Sequence, residues 1–292
     1  MRPRPILVDM PLHIKEKIVH HVRLKSRYAL RGCSKEFRNI VDTIPTLYHR
    51  VQLLKGHNWD AEKNTGPCAL IVSTDSNCLA LSARPDEEDP LDRLLKVLKV
   101  ILRNPKAHFV ELYILNVDVI KLQTLLTSQK HKMSWRNLGI RHYFKQEEVL
   151  SVVSVLQCLK PGVLNKLTLH FEEDVVLDQV FDLEQWKQAK SIELYGGTMP
   201  NNTIQHVLHL HEFSLFQITH FTVEDAKKIV ENALKMGEEF RSFDVYSDTS
   251  MSSIEQHFGQ ESFFDIPESN HKLKLSCTSD VFTLEKMKLP QN

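Results

Sequence analysis

Glycine is scarce, 9 of 292 residues, where an average chain has roughly 7%. That argues against folds built on glycine-rich phosphate loops. Net charge is missing as well: 37 Lys plus Arg balance 37 Asp plus Glu. A general nucleic-acid binder carries an excess of positive charge, so no nucleic-acid partner is expected. No apolar run approaches the ~18–20 residues that a membrane span needs, which predicts no membrane partner. The N-terminus reads MRPRPILVDMP, and its apolar stretch at 6–8 is short of the roughly 7–15 residues of a signal-peptide core. Cysteine is sparse and odd in number, with Cys33, Cys68, Cys78, Cys158 and Cys277 scattered and no CxxC. This predicts reduced thiols and a cytoplasmic or nuclear location. The sequon Asn201-Asn202-Thr203 then reads as a chance match. What is present is an ordinary globular balance, 42% apolar and 25% charged. Disorder and collagen are excluded for the bulk of the chain, and its length allows one or two domains.

Residues 9–41 stand apart. Asp9-Met10-Pro11 opens a helix, with proline expected early in the first turn. Met10, Ile14, Ile18 and Val22 follow at spacings of four, one helical face. Residues 23–26 read as a polar break. A second run, 28–41, carries Leu30, Cys33, Phe37, Ile40 and Val41 at steps of three and four, and Ile44-Pro45 ends it. Two or three short helices bury too little surface to be stable alone.

This ordered pattern resembles an F-box. Met10-Pro11, Ile14, Ile18 and Val22 fill its first half, and Leu30-Arg31-Gly32-Cys33-Ser34-Lys35-Glu36-Phe37-Arg38-Asn39-Ile40 its second. Met10 stands where leucine is usual, His13 where an acidic residue is usual, and Gly32 where a small apolar residue is common. The resemblance implies docking on a Skp-type adaptor through Pro11, Ile14, Ile18, Val22, Leu30, Cys33 and Phe37. Through the adaptor it implies cullin.

The rest of the chain repeats. An apolar-x-apolar triplet begins at 112, 138, 167, 192, 216, 243 and 273, spaced 24 to 30 residues apart. That matches the ~20–29-residue period of leucine-rich-repeat units. Residues 91–102, 119–126, 147–159 and 223–236 read as helices. Thr222 and Asp225 form a capping signature, and Gly237 follows the last turn. Strands at 51–54 and 69–72 are expected to cap the N-terminal end.

The expected fold is α/β: a short N-terminal all-α module, then a curved leucine-rich-repeat-like solenoid with parallel strands. A doubly wound α/β fold is the competing architecture. The even spacing and the lack of a glycine-rich turn after the first strand count against it. The expected boundaries are 5–46 for the F-box, 47–90 for a connecting and capping segment, 91–280 for the repeat domain and 281–292 for a tail.

This layout is similar to the nematode F-box proteins that carry an FTH domain. Trp186-Lys187-Gln188-Ala189-Lys190-Ser191-Ile192-Glu193-Leu194 looks like a stretch of that domain. The resemblance implies a protein-binding domain without catalytic residues, and a substrate-recognition subunit of a Skp–cullin–F-box ubiquitin ligase. A non-catalytic scaffold that uses its F-box without ubiquitination is the alternative.

Reactive constellations are weak. His206, His209, His211 and His220 cluster, but no Cys, Asp or Glu completes a metal-ligand spacing and HExxH is absent. Gly196-Gly197 reads as a turn leaving a strand, since GxGxxG and GxxxxGK are absent. No GxSxG elbow occurs. The pairs Glu147-Glu148 and Glu172-Glu173 fit helix starts or turns, and the acidic run 86–89 fits a solvated loop. No catalytic residue, cofactor or metal is expected.

If the triplets' apolar residues point inward, their middle residues point outward: Tyr113, Gly139, Thr168, Glu193, Gln217, Asp244 and Lys274. So do Arg141, His170, Tyr195, Thr219 and Tyr246 two positions on. Tyr113, Arg141, His170, Glu193, Tyr195, Asp244 and Tyr246 are the candidate contacts to a protein substrate of unknown identity. Tyr and Arg are favoured as anchors.

Overall fold

The computed structural model describes residues 7–56, 68–75, 77–83, 89–172, 175–197, 199–247 and 250–288. Residues 86–88 of the acidic run and Glu173 lie outside the described residues. The chain divides into two compact units. One is Met1–Arg136 with Cys158–Lys160, and the other is Asn137–Gln157 with Pro161–Asn292.

The first unit opens with α1 (Leu12–His21), α2 (Leu24–Cys33) and α3 (Lys35–Thr43). Pro11 caps α1 from outside, with φ −57° and ψ 147°, rather than sitting in its first turn. The expected polar break at 23–26 is displaced: α2 already starts at Leu24, whose side chain is buried. Burial of Leu24 outweighs the polarity of its neighbours. Ser34, at φ −158°, splits the second apolar run, and its hydroxyl accepts the Phe37 N–H at 3.2 Å to start α3.

Strands β1 (Thr46–Lys55), β2 (Cys68–Ser73) and β3 (Cys78–Ala83) follow, then α4 (Pro90–Leu102), β4 (Ala107–Leu115) and α5 (Val119–Thr127). β1 runs parallel to β4 and antiparallel to β2, which pairs antiparallel with β3. The sheet order of this unit is therefore β3-β2-β1-β4. Asp89 caps α4 by accepting the Asp92 N–H at 3.1 Å. Leu91, Leu94, Leu95, Leu98, Ile101 and Leu102 form its buried stripe, and the helix packs on β2 and β3. Rings of Tyr48, Phe109 and Trp135 stack at 5.1 and 4.3 Å. The Asn104 side-chain amide donates to the Ile44 carbonyl at 2.7 Å, tying the end of α3 to the turn before β4.

The second unit takes most of β5 (Trp135–Phe144), then α6 (Val149–Gln157), β6 (Lys166–Phe171), α7 (Asp178–Phe181), α8 (Glu184–Lys187) and β7 (Ser191–Gly196). It continues with β8 (Glu212–Ile218), α9 (Val223–Met236), β9 (Ser242–Ser247), α10 (Ser252–Phe258), β10 (Glu261–Asp265), β11 (His271–Cys277) and β12 (Val281–Lys288). Strands β5 to β9 pair in chain order, all parallel. Leu138, Ile140, Leu167, Leu169, Ile192, Leu194, Phe213, Leu215, Phe243 and Val245 are buried. The alternate residues make the other face, most of them half-exposed, with Gly139, Thr168 and Ser191 buried.

Each expected triplet falls inside a strand, and the mixed α/β fold with N-terminal helices and mostly parallel strands is the one expected, but a regular leucine-rich-repeat-like solenoid is not confirmed. The connections are uneven: two four-residue helices link β6 to β7, and a 3-10 turn (Asn201–His206) lies between β7 and β8. After β9 the parallel series stops. The order becomes β9-β12-β11-β10, antiparallel throughout. Residues 266–270 and 278–280 are the links within this meander. Links that short join only antiparallel neighbours, because a parallel crossover takes about a dozen residues. Residues 281–288, expected within a tail, form β12 because Phe282 and Leu284 are buried opposite Val245 and Phe243.

Among the described residues, no helix is long and apolar enough to cross a membrane. All five cysteines are free thiols.

Candidate functional site

The helical module is closed by its own small core: Val19, Phe37, Ile40 and Ile44, with Leu7, Leu30 and Val41 packed against it. Buried Lys15 is paired with Glu36, and Arg31 holds Asp42 through two bonds of 2.7 and 2.9 Å. Lys15 and Val19 form the inward side of α1, one residue off the expected stripe. Ile14, Ile18 and Val22 are thereby left half-buried, and Pro11 and Cys33 are exposed. Leu30 is half-buried on the module core. Phe37 is fully buried and packs the module internally. Leu12, 53% exposed, was missed. Its signal in the sequence is an apolar residue directly after Pro11.

In the second unit, parallel register sorts the polar face into rows. Asn137, Lys166, Ser191, Glu212 and Ser242 form the first. Gly139, Thr168, Glu193, Ser214 and Asp244 form the second. The third is a ladder of rings. His170 lies 4.6 Å from Tyr195, Tyr195 4.4 Å from Phe216, and Phe216 4.3 Å from Tyr246. Tyr143 meets His170 edge-on at 5.5 Å. These separations follow the ~4.8 Å spacing of neighbouring strands, so one ring per strand stacks on the next.

The structure thus brings His170, Tyr195 and Tyr246 together, with Glu193 and Asp244 in the adjacent row. Gln217 and Thr219 do not join them. A bulge after Leu215 puts Gln217 at φ +66°, returns Ile218 to the buried side and leaves Phe216 in the ladder. Sequence reasoning missed Phe216 because Phe216-Gln217-Ile218 imitates an inward-facing triplet. It also passed over Tyr143, which stands two residues after Arg141. Lys274 lies in antiparallel β11, paired with Glu261 at 2.6 Å, outside the parallel rows. Tyr113 belongs to the first unit, half-buried on β4 opposite Gln52 of β1.

Burial sets the electrostatics of this face. Burial, followed by the Arg141 charge, pushes the His170 pKa down to about 4, so the ring is neutral near pH 7. Burial, then Glu193, raises the Tyr195 phenol. Burial raises Asp244 although Thr283 and Ser214 hydrogen-bond to it. Glu193 accepts from the Thr168 hydroxyl at 2.9 Å and pairs with Lys166 at 2.6 Å.

The clustered histidines have separate structural partners. His206 stacks on Phe181 at 4.6 Å, His209 Nε2 lies 3.1 Å from the Trp186 carbonyl oxygen, and His211 lies 3.3 Å from Glu239. His220 occupies a turn at φ +57°. Among the described residues, no three His, Cys, Asp or Glu side chains are placed to hold a metal ion.

The F-box domain family matches residues 7–48 and the FTH domain family residues 108–261, the latter over half of the chain. The chain belongs to the F-box proteins with a C-terminal FTH domain. No curated protein matches it. F-box domains typically bind a Skp-type adaptor, and F-box proteins are generally non-catalytic substrate adaptors. The match points the helical module toward that role in a Skp–cullin–F-box ligase.

Proposed function

We propose that this F-box protein is the substrate-recognition subunit of a Skp–cullin–F-box ubiquitin ligase. The observation that carries the reading is the division of labour within residues 7–48. Phe37, Val19 and Ile40 complete an internal core, which leaves the flank Pro11, Leu12, Ile14, Ile18 and Val22 partly uncovered. An apolar flank beside a finished core is the mark of a partner surface. The ring ladder of the FTH domain holds the substrate, and ubiquitination follows from raised effective concentration, with no acid–base step by this chain. Five free thiols fit a reducing compartment, the cytoplasm or nucleus.

Affinity purification of the full chain tests the reading. Wild type brings down a Skp-type adaptor and cullin. Ile18→Glu, or Pro11→Ala with Ile14→Ala, abolishes both while thermal unfolding shows the chain still folded. Tyr195→Ala with Phe216→Ala and Tyr246→Ala keeps the adaptor and loses substrate. Adaptor retained at wild-type level by Ile18→Glu refutes the docking surface, and adaptor without cullin turns the chain into a scaffold.

A further inference from the structure

The first polar row opens a cleft that the ring ladder does not use. The residue before each strand forms a corner. The N–H groups of Lys190 and Ser191 donate to the Asn165 carbonyl at 3.0 and 2.8 Å. Those of His211 and Glu212 donate to the Lys190 carbonyl at 2.9 and 3.1 Å, and that of Arg241 to the His211 carbonyl at 2.8 Å. This repeated corner stacks Asn165, Lys190, His211 and Arg241 beside the row Asn137, Lys166, Ser191 and Glu212. Together they line a cleft of about 330 Å³.

The chemistry of the lining is that of an anion site. Lys166, Lys190 and Arg241 face one lining carboxylate, Glu212, which lies 3.8 Å from Arg241. Lys166 is engaged with Glu193, whereas Lys190 has no carboxylate partner among the described residues. The amides of Asn137 and Asn165 add uncharged donors. The decisive group is the Ser191 hydroxyl. Ser191 is only 8% exposed, and its hydroxyl oxygen has no hydrogen-bond partner among the described residues. A buried hydroxyl left without a partner is costly, so a site that keeps one is suited to an acceptor from outside.

We propose that this cleft binds the phosphate monoester of a phosphorylated serine or threonine in a protein held by the FTH domain. The inference rests on the substrate-holding reading and names its substrate class. Lys190 and Arg241 meet the dianion's charge, and Ser191 and the asparagine amides donate to its oxygens, a denser set of donors than a carboxylate uses. A nucleic-acid backbone fits less well. Glu193 and Asp244 in the next row would repel a continuous polyanion, and the chain has no net positive charge. Ser191 and Tyr195 are four residues apart on β7, ~13 Å along the strand. An extended segment that seats its phosphate in the cleft therefore lays an apolar side chain about four positions away on the ring ladder.

The test titrates the full chain with a phosphoserine peptide library degenerate at all other positions, the same library unphosphorylated, inorganic phosphate, and a single-stranded RNA. Phosphorylation is expected to tighten binding about tenfold or more, to select an aromatic or aliphatic residue about four positions away, and to be competed by inorganic phosphate. Lys190→Glu and Ser191→Ala each remove the preference for phosphate while the melting curve stays at wild type. Lys228→Ala on the exposed side of α9 leaves the preference intact. Equal binding of the two libraries, a preference that survives Lys190→Glu, or displacement of peptide by RNA with tighter RNA binding overturns the proposal. If the ladder variants lose substrate while the libraries bind equally, the phosphate inference fails and the substrate-holding reading stands. If the ladder variants also keep substrate, both fail.

Discussion

His170 links the ring ladder to stability. Its Nε2 is buried with no hydrogen-bond partner among the described residues, and its pKa is held at about 4 by burial and by Arg141, against an opposing pull from Glu193. In the unfolded chain a histidine titrates near ~6.5. Between these values the unfolded state takes a proton that the folded state refuses. The contribution of His170 is therefore present above about pH 6.5 and is lost as pH falls toward 4. We predict that the urea midpoint drops on acidification through this window, and that His170→Phe, which keeps a ring in the ladder, flattens the drop. An identical acid slope in the variant contradicts this. Gly196 shows a constraint of another kind: at φ +119°, a Cβ there would sit 1.7 Å from the Phe171 carbonyl oxygen. The sequence marks a turn at Gly196-Gly197; the close approach of two strand ends is the reason only glycine fits.

Helices were legible where their signals are local. Thr222 and Asp225 form a reciprocal cap, each side chain accepting the other's backbone N–H at 3.2 Å, and α9 runs over the expected 223–236. Thr222→Ala should cost about 1 kcal/mol, read by chemical denaturation; no measurable change would mean that packing of Ile229 and Val230 alone holds the helix. Strand β8 was only half legible. Its triplet at 216–218 lies in the strand, but the bulge at Gln217 returns only Ile218 to the buried side, while Phe216 keeps the outward side that follows from buried Leu215. A period-two pattern carries no mark of where an extra residue enters.

At the scale of the whole molecule, the C-terminal strand decides whether the second unit closes. β12 lies between β9 and β11, with Phe282 and Leu284 fully buried. Deleting residues 281–292 uncovers both neighbouring strands. Losing two such side chains costs ~4 kcal/mol or more, a large share of the ~5–15 kcal/mol that holds a domain together. We predict insoluble protein or loss of the cooperative unfolding transition. A truncated chain with a wild-type melting curve would return this segment to the status of a tail.

The amino-acid sequence by itself determined the F-box, the long helices and the position of every expected strand triplet, because each is written in spacings of two to four residues and in caps. Tertiary structure alone decided which strands are neighbours, that the series turns antiparallel after β9, that Phe37 faces inward and that Phe216 joins the rings. It also decided that Lys190, Ser191 and Arg241 share a cleft. These outcomes rest on contacts between residues far apart in the chain. Local periodicity assigns a residue to one side of its own element, and only the partner strand and its register determine what that side meets.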